Sequence, residues 1–131
     1  MSDEARQKPK LPSYFTGNEK KKIRRKSMKQ EDRVAKAVQG RRQKASGALP
    51  GYKGDVRSVE LLNECKRTDK KSISITIEYL QKITEEAAYY SKIPSVAIEI
   101  ESPPKFVNRD WILLPAGFVQ ELLEVYRGRS S

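Results

Sequence analysis

The chain has 131 residues, with 27 Lys and Arg against 17 Asp and Glu, a formal charge of +10, one Cys and no His. That length allows one domain and little more. Without an imidazole, Ser-His-Asp hydrolases, Cys-His proteases, HExxH zinc enzymes and His-metal nucleases are excluded, and one cysteine cannot make an internal disulfide or a Cys-rich zinc site.

A lone thiol suits a reducing compartment, no stretch approaches the roughly 18 apolar residues of a membrane span, and residues 1–10 lack the apolar core of a secretory signal. The expectation is a soluble cytoplasmic protein with no membrane contact. A charge far from zero favours a polyanion, because each Lys or Arg that neutralises a phosphate releases a condensed counterion. The charge is uneven: residues 1–30 hold ten basic and three acidic residues, the remainder seventeen and fourteen.

Residues 1–26 read as a basic arm, mobile or ordered only on a partner, with Pro9, Pro12 and the run Lys20, Lys21, Lys22, Ile23, Arg24, Arg25, Lys26 and few large apolar side chains. A solvated tail that aids solubility is the competing account. Residues 27–131 have the apolar density of a small folded domain. Ser27 and Gln30 fit a capping box and Gly40 a stop, which predicts a helix over 28–39 with Val34, Ala35 and Val38 as its stripe. The small residues and turn formers of 45–51 predict a loop.

Two short strands are predicted over 54–56 and 59–66, and an edge-like one over 72–75. Thr76 caps a predicted helix over 77–91, with Ile77, Leu80, Ile83, Thr84, Ala87 and Ala88 on one face. Alternation of Val96, Ile98 and Ile100 predicts a half-buried strand over 95–101, and another is predicted over 110–114. Pro115 opens a last predicted helix, 116–126, with Phe118, Val119, Leu122, Leu123 and Tyr126 as its apolar face. The order predicts an α/β or α+β domain in three layers around a small mixed sheet.

Three carboxylates sit awkwardly for a purely structural protein. Glu31 precedes Val34, Ala35 and Val38 by three, four and seven positions and so shares their helical stripe. Asp55 belongs to the first short strand. Glu64 and Lys66 project from one face of the second, with Asn63 and Cys65 on the other. Uncompensated burial of a carboxylate is costly, and a divalent cation could hold several of them. Mg²⁺ binds through one or two carboxylates plus water and phosphate oxygens, which Asp55 and Glu64 would satisfy if their strands form a hairpin. Such a cation could activate a water against a phosphodiester, with Lys66 assisting. A surface ion pair for Glu64 and Lys66, and a turn role for Asp55, is the competing account.

Glu31, then Ser46-Gly47 in a small-residue loop, then Gly54-Asp55, then Glu64-Cys65-Lys66 resembles the motif order of the PD-(D/E)XK nuclease superfamily, and within it the small Holliday junction resolvases of archaea and some phages. The similarity covers about residues 27–100. Gly54 stands where the name-giving proline often does, and Gln81 lies near a polar position of the following helix without the Tyr four residues later. The resemblance implies a restriction-endonuclease-like α/β/α nuclease domain over 27–131. It implies that Asp55, Glu64, the Cys65 carbonyl and Glu31 ligate Mg²⁺ or Mn²⁺, that Lys66 activates water, and that Ser46 lies near the scissile phosphate.

On that reading Lys44, Lys53, Arg57, Arg67, Lys70 and Lys71, with the arm's Lys20, Lys21, Lys22, Arg24, Arg25 and Lys26, bind DNA phosphates, which position the substrate without specifying it. Selectivity for a branched substrate would then come from shape, through two sites in a homodimer that nick a four-way junction in symmetric pairs and leave 5′-phosphate ends. The alternatives are a relative acting on linear duplex, flaps or ends, and a non-catalytic basic nucleic-acid-binding module. Tyr89, Tyr90, Trp111 and Phe106 are candidate base-stacking platforms, though core or edge packing suits them better.

Overall fold

A computed structural model describes residues 17–43 and 55–130, the side chains of 129 and 130 excepted. It is a mixed α/β fold: an open five-stranded sheet and three helices. In chain order these are α1 (Gly17–Val38), β1 (Arg41–Arg42), β2 (Val56–Arg57), β3 (Leu61–Thr68), α2 (Ile77–Tyr89), β4 (Ile93–Ile100), β5 (Asp110–Leu113) and α3 (Ala116–Ser130). The strands lie in sequence order across the sheet, and only β3 and β4 run parallel. A parallel pair needs a crossover, which α2 supplies.

α1 starts at Gly17, well before the helix predicted from Ser27, so the run from Lys20 to Lys26 is helical and continuous with the rest. Lys and Arg are good helix formers, and their long stems let the charges stand outward while Ile23, Ser27, Gln30, Glu31, Val34 and Val38 turn inward. The helix ends as expected. Gln39 takes the left-handed backbone at φ 56°, and Gly40 follows where a Cβ would meet the Arg57 carbonyl oxygen at 2.4 Å.

Val34, Val56 and Ala97 form the buried core on this side, with Ala35, Val38 and Cys65 against them. Alternation along β4 puts Val96 on the opposite face, where Leu80 and Ile83 of α2 approach it. Thr76 caps α2 as predicted, accepting from the Tyr79 N–H at 3.0 Å. The inward face of α2 is rotated from the predicted one: Ile83, Glu86 and Ala87 are buried, whereas Ile77 and Ala88 are exposed.

β1 was not foreseen, and the strand predicted over 72–75 is not formed: that stretch has no regular structure. The other strands fall within two residues of expectation. The predicted apolar face of α3 is not covered by the sheet: Val119, Leu122, Leu123 and Tyr126 are exposed. No described helix is long and apolar enough to cross a membrane.

Two polar devices hold the sheet. Arg33 of α1 donates to Glu99 at 2.6 Å and to Asp110 at 2.9 and 3.0 Å, and these carboxylates face each other as Cα partners on β4 and β5. Hydrogen bonding to Asp110, against a desolvation cost and with further help from Glu99, raises the guanidinium's pKa. Inside the sheet, Ser95 and Asn63, also Cα partners, share a buried hydrogen bond, and Asn63 donates to the Val56 carbonyl at 3.4 Å.

Candidate functional site

β2 and β3 are joined by a tight turn. Ser58 Oγ accepts from the Leu61 N–H at 3.0 Å, and the Lys92 ammonium donates to the carbonyls of Ser58 and Val59 at 2.6 and 3.0 Å. The predicted hairpin therefore exists, and it brings Asp55 alongside the Glu64-Cys65-Lys66 tripeptide. The Asp55 N–H donates to the Asn63 carbonyl at 2.9 Å, and its buried carboxylate accepts from the Cys65 N–H at 2.8 Å. In a regular strand the N–H and C=O of one residue point to the same side, so the Cys65 carbonyl looks toward the edge that Asp55 occupies.

Glu64 and Lys66 share the α2 face of β3, as their spacing predicts. There Tyr79, in the first turn of α2, was missed by sequence reasoning. The Lys66 ammonium lies 4.3 Å from the Tyr79 ring centroid and donates to the Ser74 carbonyl at 3.2 Å. Burial, followed by the negative charges of Glu64, Asp55, Cys65 and Glu86, pushes the Tyr79 hydroxyl well above its ordinary pKa. The phenol therefore stays neutral while standing among acids. The signal was available: Tyr79, Ile83 and Glu86 recur at i, i+4 and i+7 behind a Thr cap. Their mixed chemistry hid the stripe from a search for apolar residues.

Glu31 is buried on α1, as its stripe predicts. Its neighbour Gln30 was not foreseen as important, yet its amide donates to the Lys66 carbonyl at 2.8 Å and to the Ala97 carbonyl at 3.3 Å. α1 is thereby fixed to the strand residue that presents the lysine. Among the described residues, no three His, Cys, Asp or Glu side chains group closely enough to hold a metal ion. What the fold brings together is Asp55, Glu64, the Cys65 backbone and Lys66, with Tyr79 and Glu86 behind them. Ser46, Lys44, Lys53 and Gly54 lie outside the described residues.

The cations expected at phosphates divide into two groups. Lys21, Lys22, Arg24, Arg25 and Lys26 are exposed along α1, Lys20 is half-buried, and Lys70 and Lys71 are exposed after β3. Lys26 also approaches Glu101 at 3.3 Å. Arg57 instead stacks 4.4 Å over the Tyr90 ring, and Arg67 donates to the Ile23 carbonyl at 3.4 Å beside Glu101. Gln81 is exposed and donates to Glu85 at 3.3 Å, on the outer side of α2. Of the aromatic candidates, Tyr89 packs edge-on against Tyr90 at 4.9 Å, Trp111 donates to the Asn108 carbonyl at 2.7 Å, and Phe106 is exposed.

Set against protein-family models, curated proteins and solved structures, the chain matches none of them.

Proposed function

We propose that the protein is a metal-dependent, structure-selective DNA endonuclease of the Holliday junction resolvase type, with the three-layer restriction-endonuclease-like arrangement of its superfamily. The observation that supports this reading most is the convergence on the β2–β3 hairpin: Asp55 bonded to the Cys65 backbone, and Glu64 and Lys66 on one strand face under Tyr79.

The donor set fits a hard cation, since Mg²⁺ is held through one or two carboxylates and keeps water and phosphate oxygens as its other ligands. Asp55, Glu64 and the Cys65 carbonyl would hold Mg²⁺ or Mn²⁺, while Glu31, expected as a further ligand, does not group with the two acids as a third. When bound, the cation supplies charge neutralisation at the scissile phosphate and a lowered pKa for the attacking water. Lys66 orients that water and stabilises the charge that develops on phosphate oxygens. Tyr79 shields the Lys66 ammonium from bulk solvent on one side. The exposed cations of α1, with Lys70 and Lys71, take the flanking phosphates of branched DNA.

Cleavage of a four-way junction and of a matched linear duplex, each with and without Mg²⁺, tests this. Paired symmetric nicks in the junction alone are expected, with Asp55→Asn and Glu64→Gln cutting at least about 100-fold more slowly while still binding it. Full-rate cutting by either variant would overturn the site, and equal cutting of linear duplex would make the protein a nuclease of other DNA.

The lack of a three-ligand group among the described residues favours a second reading, a non-catalytic basic nucleic-acid-binding module. That reading expects junction binding with no hydrolysis at any Mg²⁺ or Mn²⁺ concentration.

A further inference from the structure

The sheet face on which Lys66 stands extends beyond the candidate site. Lys66, Ile98 and Trp111 are successive Cα partners across β3, β4 and β5, so their side chains share that face. α2 approaches it at Val96 and leaves it open toward Ile100. There a hollow of about 750 Å³ forms over Ile98, Ile100, Trp111 and Leu113, walled by Pro104, Val107 and the turn that follows β3. Its size lies within the range of sites that hold a small organic group.

Trp111 is fixed within this hollow. Its indole N–H donates to the Asn108 carbonyl at 2.7 Å, and the residue is still 49 % exposed. Indole has no other polar group, so what it offers a ligand is an aromatic face. The mouth of the hollow is basic. Thr68 Oγ1 donates to the Ser72 carbonyl and accepts from the Lys70 N–H, each at 3.0 Å, which sets the turn that carries Lys70 and Lys71 to the rim. Both lysines are exposed, and Asp69 beside them leaves the rim net positive.

A pinned aromatic floor under a cationic rim fits a ligand with a flat, uncharged part and an anionic part, which describes a nucleotide. An acyl chain would fill the floor, but it has no ring to set against the indole. Position agrees with this choice. Two strand spacings, about 10 Å, separate Trp111 from Lys66, and a stacked strand carries one phosphate per about 3.4 Å. A few nucleotides of one strand therefore reach from a phosphate at Lys66 to the hollow. The segment that walls the hollow also runs on to Ser74, whose carbonyl accepts from the Lys66 ammonium. A base leaves its stack most readily where it is already unpaired.

We infer that the hollow receives one unpaired base of branched DNA, its face against Trp111 and the neighbouring phosphate on Lys70 and Lys71. The inference rests on the reading of the chain as a binder of branched DNA, catalytic or not, and names the feature of the branch that it recognises.

Trp111 is the chain's single tryptophan, so its emission reports on the hollow directly. The full chain is titrated with a four-way junction carrying one unpaired thymine at the branch, and with the same junction carrying an abasic sugar there. Anisotropy of a label on the DNA gives affinity, and tryptophan emission gives contact. The thymine junction alone is expected to quench the emission and to bind about tenfold more tightly, the effect of one base stack worth about 1.4 kcal/mol. Trp111→Phe should keep most of that preference and Trp111→Ala remove it, with affinity for the abasic junction unchanged in both. Lys70→Gln with Lys71→Gln should weaken both junctions alike. The comparison of the two junctions needs no altered protein, so it decides the matter even if a variant fails to fold. Equal affinity for the two, or a preference that survives in Trp111→Ala, would overturn the inference and leave DNA binding in place. Binding of neither junction would overturn it together with the reading on which it rests. A shift of emission with protein concentration alone, without DNA, would make the occupant a second copy of the chain and overturn it as well.

Discussion

The ammonium of Lys66 sits 4.3 Å from the centre of the Tyr79 ring, a contact made between β3 and the first turn of α2 across thirteen residues of sequence. The ring face attracts the cation and limits its excursions. That contact makes the ring, rather than the hydroxyl, the useful part of Tyr79. A cation over an aromatic face is worth about 0.5–1 kcal/mol where water reaches it, and more when it is sheltered.

Tyr79→Phe is therefore expected to keep junction cleavage within about threefold, and Tyr79→Ala to lower it about tenfold with junction binding unchanged, as a fold-change of ten corresponds to about 1.4 kcal/mol. Single-turnover cleavage beside a binding titration checks this. The hydroxyl has a separate signature. Its folded pKa is raised above the unfolded value near 10, so its contribution to stability is complete below pH 10 and declines as pH rises toward the folded value. Urea midpoints compared at about pH 9 and about pH 11 should fall for the unaltered chain by more than for Tyr79→Phe.

Gln30 serves two buried carbonyls at once. Gln30→Met keeps the volume and removes the amide that donates to the Lys66 and Ala97 carbonyls, at an expected cost of about 1–3 kcal/mol in urea unfolding. A loss below about 0.5 kcal/mol would show that water replaces the amide at no cost.

Arg33 keeps two facing carboxylates at peace. Arg33→Met is expected to destabilise by about 1–2 kcal/mol, between an exposed pair and a fully buried one, because Arg33 and Asp110 are partly exposed to water. Adding Asp110→Asn should recover most of the loss, since the repulsion between partners on adjacent strands disappears with one charge. Thermal unfolding of the single and double variants at low salt measures both effects.

Salt dependence reads the basic helix. Neutralising Lys21, Arg24 and Arg25 to Gln should flatten the dependence of junction affinity on salt by about 0.9 in log–log slope for each phosphate contact removed. Fluorescence anisotropy with a labelled junction gives the slope. An unchanged slope would place the phosphates elsewhere on the protein.

The parts of this fold legible in sequence were those where local chemistry and tertiary position agree. Thr76 as a cap, Gly40 as a stop and the alternation of β4 all depend on near neighbours, and each is found as expected. The start of α1 was misplaced because a basic run suggests an unfolded arm, while Lys and Arg are in fact compatible with a helix that needs only a narrow inward stripe. The rotation of α2 was hidden because Glu86 and Tyr79, both polar, take inward positions that hydropathy assigns to Ile77 and Ala88. The placement of Asp55 beside Glu64-Cys65-Lys66 was legible from the two-residue spacing on one strand together with the expected hairpin. Gln30 was not, since a glutamine reaching two carbonyls, one of them 67 residues ahead, leaves no local trace.

The register of β3 against β4 sets the order in which this face comes into being. Leu61 pairs with Ile93 and Thr68 with Ile100, so every rung spans 32 residues, and Gln30 waits for Ala97. Contacts of such long sequence separation form slowly. A nascent polypeptide that has emerged only as far as α2 already contains both acids and the lysine, but not the neighbouring strand that straightens them. Assembly of the face that carries Asp55, Glu64 and Lys66 is thereby deferred until synthesis has passed β4.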